Sequence, residues 1–280
     1  MKKQSLFTVL NVILLLSFSS ISLQGQKSAD LKYNLNQGDT YSYIINIDQD
    51  VVFEANGQTM ALDVQMTFES STLVDGVTAD SINLESTIDR VKMTQGIFGM
   101  QVTYDSDDPA TAQNPMAAQI AQSMGMVVGK SYTQVMDLKG NVIRMDMGNL
   151  TENDDLANNL NSGAQFGLYP DYKVKVGDSW EKDIAPVKES DMKVHAKYTL
   201  TKLSGKTATI QFDGIISANT MQDMDMKMDG TQKGEMIVDV NTGWLIESTI
   251  NQDIELDVEQ NGQKFPATIS GTINTTSAKK

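Results

Sequence analysis

The sequence offers few residues of the types that carry catalytic chemistry. It has no cysteine and a single histidine, His195, which lies between Lys193 and Lys197 on the polar side of an alternating segment. One histidine leaves a Ser-His-Asp triad a single candidate base, and an ordinary zinc site too few ligands. No Gly-rich phosphate loop follows a predicted strand. Abundant carboxylates allow glycosidase-like chemistry, but the missing motifs favour a protein with neither enzymatic activity nor a cofactor.

Two acidic stretches have the composition of calcium loops. Residues 104–109 are rich in aspartate but lack the glycine and the distal glutamate of an EF-hand loop. Residues 225–230 begin like such a loop, yet Lys227 occupies a ligand position and Met236 occupies the twelfth. The sequence therefore predicts solvated turns at both places, and no metal site.

Methionine is unusually frequent, with 17 residues. Met224, Met226 and Met228 share one face of a predicted strand, and such spacing can hold copper(I), because thioethers are soft ligands. Methionine is also an adaptable apolar filler of cores and of ligand grooves. Its recurrence throughout the alternating segments favours the second role. The residues predicted to line an apolar groove are Met60, Met66, Phe68, Met116, Met124, Phe212, Met224, Met226 and Met228.

Residues 41–70 predict one long β-hairpin. Apolar and polar side chains alternate on both sides of Asn56-Gly57, which is the period-two pattern of half-buried strands. An Asn-Gly pair tolerates the positive φ angles of a type I′ turn. The turn and the hydrophobic pattern select the same register. The predicted pairs are Phe53 with Met60, Val51 with Leu62, and Ile47 with Met66.

A second long hairpin is predicted near the C-terminus, with residues 244–260 as its first strand and Asn261-Gly262 as its turn. Its predicted pairs are Val258 with Phe265 and Ile254 with Ile269. Strands of this length exceed the usual range, and long strands coil as they twist. The predicted fold class is therefore mostly β, with two related antiparallel meanders forming a strongly curved sheet or a partly open barrel.

Short phrases recur along the chain and indicate an internal repeat. Gly38-Asp39-Thr40-Tyr41 returns as Gly177-Asp178-Ser179-Trp180, each time at the start of a predicted strand. Later turns recur in the same order with a shrinking offset, which places insertions in the first copy. The predicted organisation is a first β-meander at 31–150 with a helical insertion at about 110–128, a helical linker at 151–169, and a second β-meander at 170–276.

Two short helices are predicted within this framework. Met116, Ile120 and Met124 recur at steps of four, which makes a helical apolar stripe. Thr151 begins a second helical segment, and Gly163 ends it. Packed against a large sheet, these helices would form a plug or a lid.

Residues 1–25 predict a signal peptide, since two lysines precede an apolar segment at 6–18 and a small, polar region follows. Cleavage is expected after Gly25, or alternatively after Ser22. The apolar segment is too short to span a bilayer, so no transmembrane segment is expected in the mature chain. Export predicts a periplasmic or extracellular location, and the lack of cysteine argues against a lipid anchor. The net charge of −14 opposes binding to nucleic acid.

Residues 174–180, VKVGDSW, preceded by Tyr169-Pro170, resemble an uncharacterised family of exported Bacteroidota proteins, a domain of unknown function. The stretches at 34–41, 129–132 and 242–245 carry the same resemblance, so it covers nearly the whole mature chain. Many members of that family begin with a lipidated cysteine, which this chain lacks. The resemblance implies no activity and no catalytic residues.

These features together favour a non-enzymatic exported protein that binds a lipid or another apolar ligand in a methionine-lined groove. The analogy is at the level of the fold, with envelope lipid carriers. The alternative is a structural or partner-binding envelope module, in which long strand edges or the acidic surface recruit another protein. An enzyme and a copper-handling protein are the further hypotheses.

Overall fold

The protein is built mainly from antiparallel β-strands. The computed structural model describes residues 27–55, 58–97, 99–148, 169–184, 191–221, 224–260 and 263–280. The predicted signal peptide and almost all of the predicted linker helix lie outside these residues. The described part contains fourteen strands and one α-helix.

Most of the strands are long. Those of the first half are β1 (Ser28–Ala29), β2 (Thr40–Ala55), β3 (Gln58–Val77), β4 (Ser81–Ile97), β5 (Met100–Asp105), β6 (Ser131–Asp137) and β7 (Val142–Asp146). Those of the second half are β8 (Val174–Lys175), β9 (Ser179–Ile184), β10 (Lys193–Leu203), β11 (Thr207–Met221), β12 (Met224–Asp239), β13 (Leu245–Gln260) and β14 (Gln263–Lys279). The seven strands β2 to β4 and β11 to β14 have 15 to 20 residues each. The alternation had predicted such length for the hairpin at 41–70 and for residues 244–260.

Twelve strands form one antiparallel sheet in the order β7-β6-β4-β3-β2-β14-β13-β12-β11-β10-β9, with β5 paired to the remaining length of β4. Strands β1 and β8 form a separate antiparallel pair. The mostly β, antiparallel fold class is thereby confirmed. Because the order ends at two edges, β7 and β9, strand pairing does not close the sheet. The predicted strong curvature and partly open barrel are not confirmed.

The register of both predicted hairpins is confirmed. In β2 and β3 the opposed pairs are Phe53 with Met60, Val51 with Leu62, and Ile47 with Met66. In β13 and β14 they are Val258 with Phe265 and Ile254 with Ile269. The turn residues 56–57 and 261–262 lie outside the described residues, but the pairs Ala55–Gln58 and Gln260–Gln263 next to them require two-residue connections.

The two halves of the chain meet where β2 pairs with β14. The pairing runs from Ala267 opposite Phe53 to Lys279 opposite Tyr41 without a register shift. Because both strands alternate with period two, a continuous pairing keeps the apolar side chains of each on the same face. One apolar face, called the inner face below, therefore extends across both halves of the chain.

Residues 29–35 run across one end of the sheet and link two of its turns. The backbone N–H of Tyr33 donates to the carbonyl of Leu138 in the β6–β7 turn at 2.8 Å, and the N–H of Asn34 donates to Thr242 in the β12–β13 turn at 2.9 Å. The phenol of Tyr169 adds a buried hydrogen bond to the carbonyl of Gly243 at 2.6 Å. These bonds give three turn carbonyls hydrogen-bond partners within the protein.

The helix α1 (Pro115–Met124) packs at the opposite end of the sheet from residues 29–35, beside β5. Asn114 caps it by accepting a hydrogen bond from the N–H of Met116 at 3.0 Å, and Pro115 stands in the first turn, where its missing N–H costs nothing. Ala117 is fully buried in a small cluster with Val102 and Tyr104. The first predicted helix is therefore formed, and the second falls on residues that the structure does not describe.

No helix among the described residues is long and apolar enough to cross a bilayer.

Candidate ligand-binding site

The inner face is covered at one end and half-exposed at the other. At the covered end, Tyr41 and Tyr43 of β2 are buried beneath Trp244, whose ring stacks on Tyr41 with centroids 4.0 Å apart. Further along the same face of the same strand, Ile47, Val51 and Phe53 are only half-buried. The change occurs within one strand, so it reflects what lies over each position and not the alternation itself.

The half-exposed region is a continuous apolar surface, called here the floor. It spans the neighbouring strands β3, β2, β14 and β13, and its members are aligned in register. Its side chains are Met60, Leu62, Val51, Phe53, Phe265, Ala267, Ile269, Ile254, Leu256 and Val258, all of intermediate exposure. An apolar surface of this kind, on a face whose other end is buried, is typical of a binding site.

One polar row crosses the inner face beside the floor. Gln49 lies opposite Gly271, which lies opposite Gln252, which lies opposite Gln232. The amide of Gln232 donates to the side-chain oxygen of Gln252 at 3.2 Å, and Gln252 is 94 % buried, with 6 % of its surface exposed. The side chain of Gln49 has no hydrogen-bond partner among the described residues. This glutamine row is uncharged and lies among apolar neighbours.

The nine predicted groove residues do not lie together. Met60 belongs to the floor, and Met66 is half-buried one row beyond the glutamine row. Met226 and Met228 are buried in the main core, opposite Val258 and Leu256, and so adjoin the floor. The side chain of Met224 lies outside the described side chains.

The other four predicted residues lie elsewhere. Phe212 is buried beside Tyr198, with ring centroids 5.4 Å apart. Phe68 and Met124 pack on a separate cluster around Val91, and Met116 is 46 % exposed on α1. Methionine content alone therefore did not identify the floor. The alternation and the hairpin registers carried the signal that Val51, Phe53, Ile254 and Ile269 share one surface.

The titratable groups of the covered end are phenols held in their neutral form. Burial raises the pKa of Tyr41 to about 12, with a smaller contribution from the nearby carboxylate of Asp39. Burial also raises the pKa values of Tyr43 and Tyr169 well above the ordinary range. A phenol whose pKa is raised is a poor base near neutral pH, so this end is suited to packing rather than to acid–base chemistry.

The first predicted acidic loop is held by an arginine. Arg90 donates to both carboxylate oxygens of Asp105, at 3.0 and 2.6 Å, and to Glu69 at 2.8 Å. These hydrogen bonds lower the pKa of Asp105. In the second acidic stretch, Lys227 pairs with Asp229 at 2.7 Å. Among the described residues, no three His, Cys, Asp or Glu side chains are grouped so that they could hold a metal ion.

The single histidine lies on the exposed outer face. Its Nδ1 is 2.7 Å from a carboxylate oxygen of Asp183, and its Nε2 is 3.8 Å from Glu181. The hydrogen bond with Asp183 raises the pKa of His195. The contacts of the described residues bring no serine or threonine to this pair. The arrangement is an exposed hydrogen-bonded pair.

Two adjoining concavities lie on the outer face, behind the floor. Their volumes are about 250 and 560 Å³, and both are bordered by Asp229, Glu255 and Thr268. The larger one includes Ile215, which is 60 % exposed. Since their walls are carboxylates around a few apolar groups, these concavities differ in chemistry from the apolar floor.

Comparison with known proteins adds family and fold information. Residues 156–245, less than half of the chain, match a family of unknown function, DUF6263. The matched range includes the VKVGDSW stretch, whereas the Bacteroidota origin stays a prediction. No curated protein matches the chain.

Among solved structures, a lipovitellin structure described by its lipid–protein interactions aligns over 88 % of this chain, with a TM-score of 0.50 and 9 % identity. The chain spans only 25 % of that lipovitellin chain, so the likeness shows a shared fold for that part. The translocator domain of the autotransporter NalP from Neisseria meningitidis aligns with a TM-score of 0.22 and 7 % identity, over 87 % of this chain and 90 % of that one. An outer membrane channel from Pseudomonas putida F1 also gives 0.22, with 8 % identity, over 89 % and 98 %. TM-scores this low do not show that the last two proteins share the fold of this chain.

Proposed function

We propose that this protein is a non-enzymatic, exported protein that binds a lipid or another apolar ligand on the floor. The observation that carries the proposal is the change in burial along β2, from Tyr41 and Tyr43 to the half-exposed Val51 and Phe53. An acyl chain laid on the floor would remove this apolar surface from water. Burying about ten methylenes at about 0.8 kcal/mol each gives roughly 8 kcal/mol before the costs of association, enough for micromolar affinity.

A bend in the sheet would turn the floor into a groove, and two observations support a bend. The carbonyls of Leu138 and Thr242 are bonded by adjacent residues, so they lie within about 10 Å of each other. Five or more inter-strand spacings separate their turns in the sheet order, which corresponds to more than about 20 Å in a flat sheet. In addition, a Cβ on the inner-face residue Gly271 would collide with the carbonyl of Asp48. Glycines at such positions allow sheets to bend sharply.

The fold likeness to lipovitellin is consistent with this proposal. That structure is described by its lipid–protein interactions, and part of it shares the fold of this chain. Because one fold can host many functions, the likeness supports a lipid ligand only as an analogy. The stronger support for an apolar ligand is the chemistry of the floor, which contains no charged side chain.

Two neighbouring valines provide a matched test. Val51 is half-buried on the inner face and Val52 is 37 % exposed on the outer face. With a fluorescent long-chain acyl probe, Val51→Asn is expected to weaken binding about tenfold, because a polar amide then faces the chain. Val52→Asn is expected to leave binding unchanged. Native mass spectrometry of protein purified from its own envelope should also show a co-purified apolar ligand.

Several results would contradict the proposal. One such result is protein that is recovered without a ligand and does not bind the acyl probe, because the floor would then bind no apolar ligand. Equal losses in Val51→Asn and Val52→Asn would place the probe elsewhere. Urea unfolding of both variants, monitored by tryptophan fluorescence, controls for loss of the fold.

Export is the second part of the proposal, and it is supported by the charge and hydropathy pattern of residues 1–25. Expression of the full chain followed by mass determination of the accumulated protein tests it. A mass that corresponds to loss of the first 25 or 22 residues is expected. Full-length protein retained in the cytoplasm would contradict export.

A partner-binding module is the second candidate function, and the outer concavities favour it. Ile215 is 60 % exposed and borders a concavity that also contains Asp229 and Asp253, a combination suited to a basic and apolar partner segment. A photo-crosslinking amino acid in place of Ile215 tests this in the native envelope. A stoichiometric protein adduct would favour the partner-binding module. A lack of adducts would contradict the module and favour the ligand-binding function.

A further inference from the structure

The glutamine row adds polar recognition to the floor. It separates the apolar row of Ile47 and Ile273 from the floor row of Val51 and Ile269, and all these side chains are on the inner face. A binding surface for plain hydrocarbon gains nothing from amides at this position, because an amide that is covered without a partner loses its hydrogen bonds to water. A ligand that covers the row therefore gains from carrying a group that can hydrogen-bond with these amides.

The centre of the row is open because a glycine occupies it. Gly271 lies between Gln49 and Gln252 in register, and the side chain of Gln49 leans over it: a Cβ on Gly271 would be 2.9 Å from the Cγ of Gln49. The amide of Gln49 has no partner among the described residues, whereas Gln252 accepts from Gln232. Within the described part of the chain, Gln49 thus presents an amide whose donor and acceptor atoms are available beside the floor.

The charge of the surroundings selects a neutral polar group. No acidic or basic side chain lies in the row from Gln49 to Gln232, and the next residues in register are Gly214, Ala196 and then Lys182. Lys182 is three strands from Gln232, or about 14 Å along the row. A carboxylate placed at Gly271 would therefore lose hydration without gaining a counter-ion.

We infer that the protein selects neutral amphiphiles, with Gln49 and Gln252 binding an ester or amide group and the adjacent hydroxyls while the hydrocarbon chain lies on the floor. This inference rests on the proposed function, since it assumes that the floor binds a chain. It narrows the ligand class to uncharged lipids of the acylglycerol type and places free fatty acids second.

Competition against the fluorescent acyl probe tests the role of the glutamine row separately from the binding of a hydrocarbon chain on the floor. The competitors are a monoacylglycerol, the fatty acid of equal chain length, and a hydrocarbon of equal length. In the unmodified protein the monoacylglycerol should compete best. Gln49→Leu should weaken the monoacylglycerol about three- to tenfold, which is the effect of one or two hydrogen bonds, and should leave the hydrocarbon unchanged or slightly tighter.

Gln65→Leu is the matched control, because Gln65 is exposed on the outer face of the adjoining strand β3. It should change none of the three competitors. An equal loss for monoacylglycerol and hydrocarbon in Gln49→Leu, or no loss for either, would overturn the role of the row. A fatty acid that competes better than the monoacylglycerol would overturn the selection for neutral groups. Failure of every competitor and of the probe itself would reject the proposed function instead.

Discussion

The covered end and the floor are made by the same strands and the same alternation, yet they differ in burial. At the covered end, Tyr33, Tyr43 and Trp244 form a compact aromatic group, with centroids 6.2 Å apart for Tyr33–Trp244 and 5.3 Å for Tyr43–Trp244. On the floor, the apolar side chains of β2 and β14 remain half-exposed. Alternation therefore determines only which face of the sheet a side chain occupies. A second segment must cross that face before the side chain contributes fully to stability.

The largest expected effect is a contrast between the two ends. Trp244→Ala at the covered end should lower the free energy of unfolding by about 3–5 kcal/mol, because the ring is 97 % buried (3 % exposed) and also donates to Ser277 at 2.7 Å. Phe53→Ala on the floor should cost about 1–2 kcal/mol, since the ring is already half in water. Urea denaturation measures both, and equal losses would remove the distinction between the ends.

A smaller effect is expected at the Arg90–Asp105 pair, which lies at neither end. Asp105→Asn should lower the free energy of unfolding by about 2 kcal/mol at neutral pH, because it removes a charge-assisted hydrogen-bonded pair. The folded-state pKa of Asp105 is lowered. Its stabilisation is therefore complete above the ordinary pKa of about 3.9 and is lost as the pH falls through the folded-state value.

The pH profile of unfolding provides the control for that prediction. The unmodified protein should lose stability more steeply below pH 4 than Asp105→Asn does. Parallel acid profiles for the two proteins would show that the carboxylate contributes no stabilisation of its own.

A single hydrogen bond at the covered end should have an effect of about 1 kcal/mol. Tyr169→Phe removes the buried bond to Gly243 but keeps the ring. Tyr172→Phe is the matched control, because Tyr172 is 53 % exposed and its 3.3 Å bond to Ser179 competes with water. Unfolding curves that show the larger loss for Tyr172→Phe would contradict the account of the covered end.

The smallest effect is expected at the exposed pair of His195 and Asp183. The pKa of His195 is raised by its hydrogen bond with Asp183, so any stabilisation is complete below the ordinary pKa of about 6.5 and fades as the pH rises through the folded-state value. An NMR titration of the imidazole should show the raised pKa, and Asp183→Asn should return it towards 6.5. An unshifted titration in the unmodified protein would show that the pair does not persist in solution.

Local sequence was sufficient to predict the hairpins. The pairs Phe53–Met60 and Val258–Phe265 followed from an Asn-Gly turn and an alternating pattern, both of which are readable within thirty or so residues. The helix at α1 was predicted in the same way, from Met116, Ile120 and Met124. Each of these features depends on interactions between residues that are near in sequence.

The predicted groove residues are dispersed in the structure, because methionine frequency was taken as the signal. Met60 lies on the floor and Met228 beside it, whereas Met116 is on the exposed side of α1 and Phe68 packs on another cluster. The type of a residue indicates its chemistry, but it does not indicate whether another segment of the chain covers the side chain. The register of several strands was needed to see that valine, phenylalanine and isoleucine side chains form one surface.

Within each hairpin, the amino-acid sequence alone specifies which side chains share a face, because a period of two and a two-residue turn leave one register. Which part of that face is covered depends on tertiary contacts. Coverage depends on residues 29–35 and Tyr169, which reach the sheet through backbone and phenol hydrogen bonds to turns distant in sequence. The side chains of residues 29–35 alternate between buried and exposed, as in a strand. The backbone bonds that place this segment require only a carbonyl within reach, so the residue types do not specify which turns it contacts.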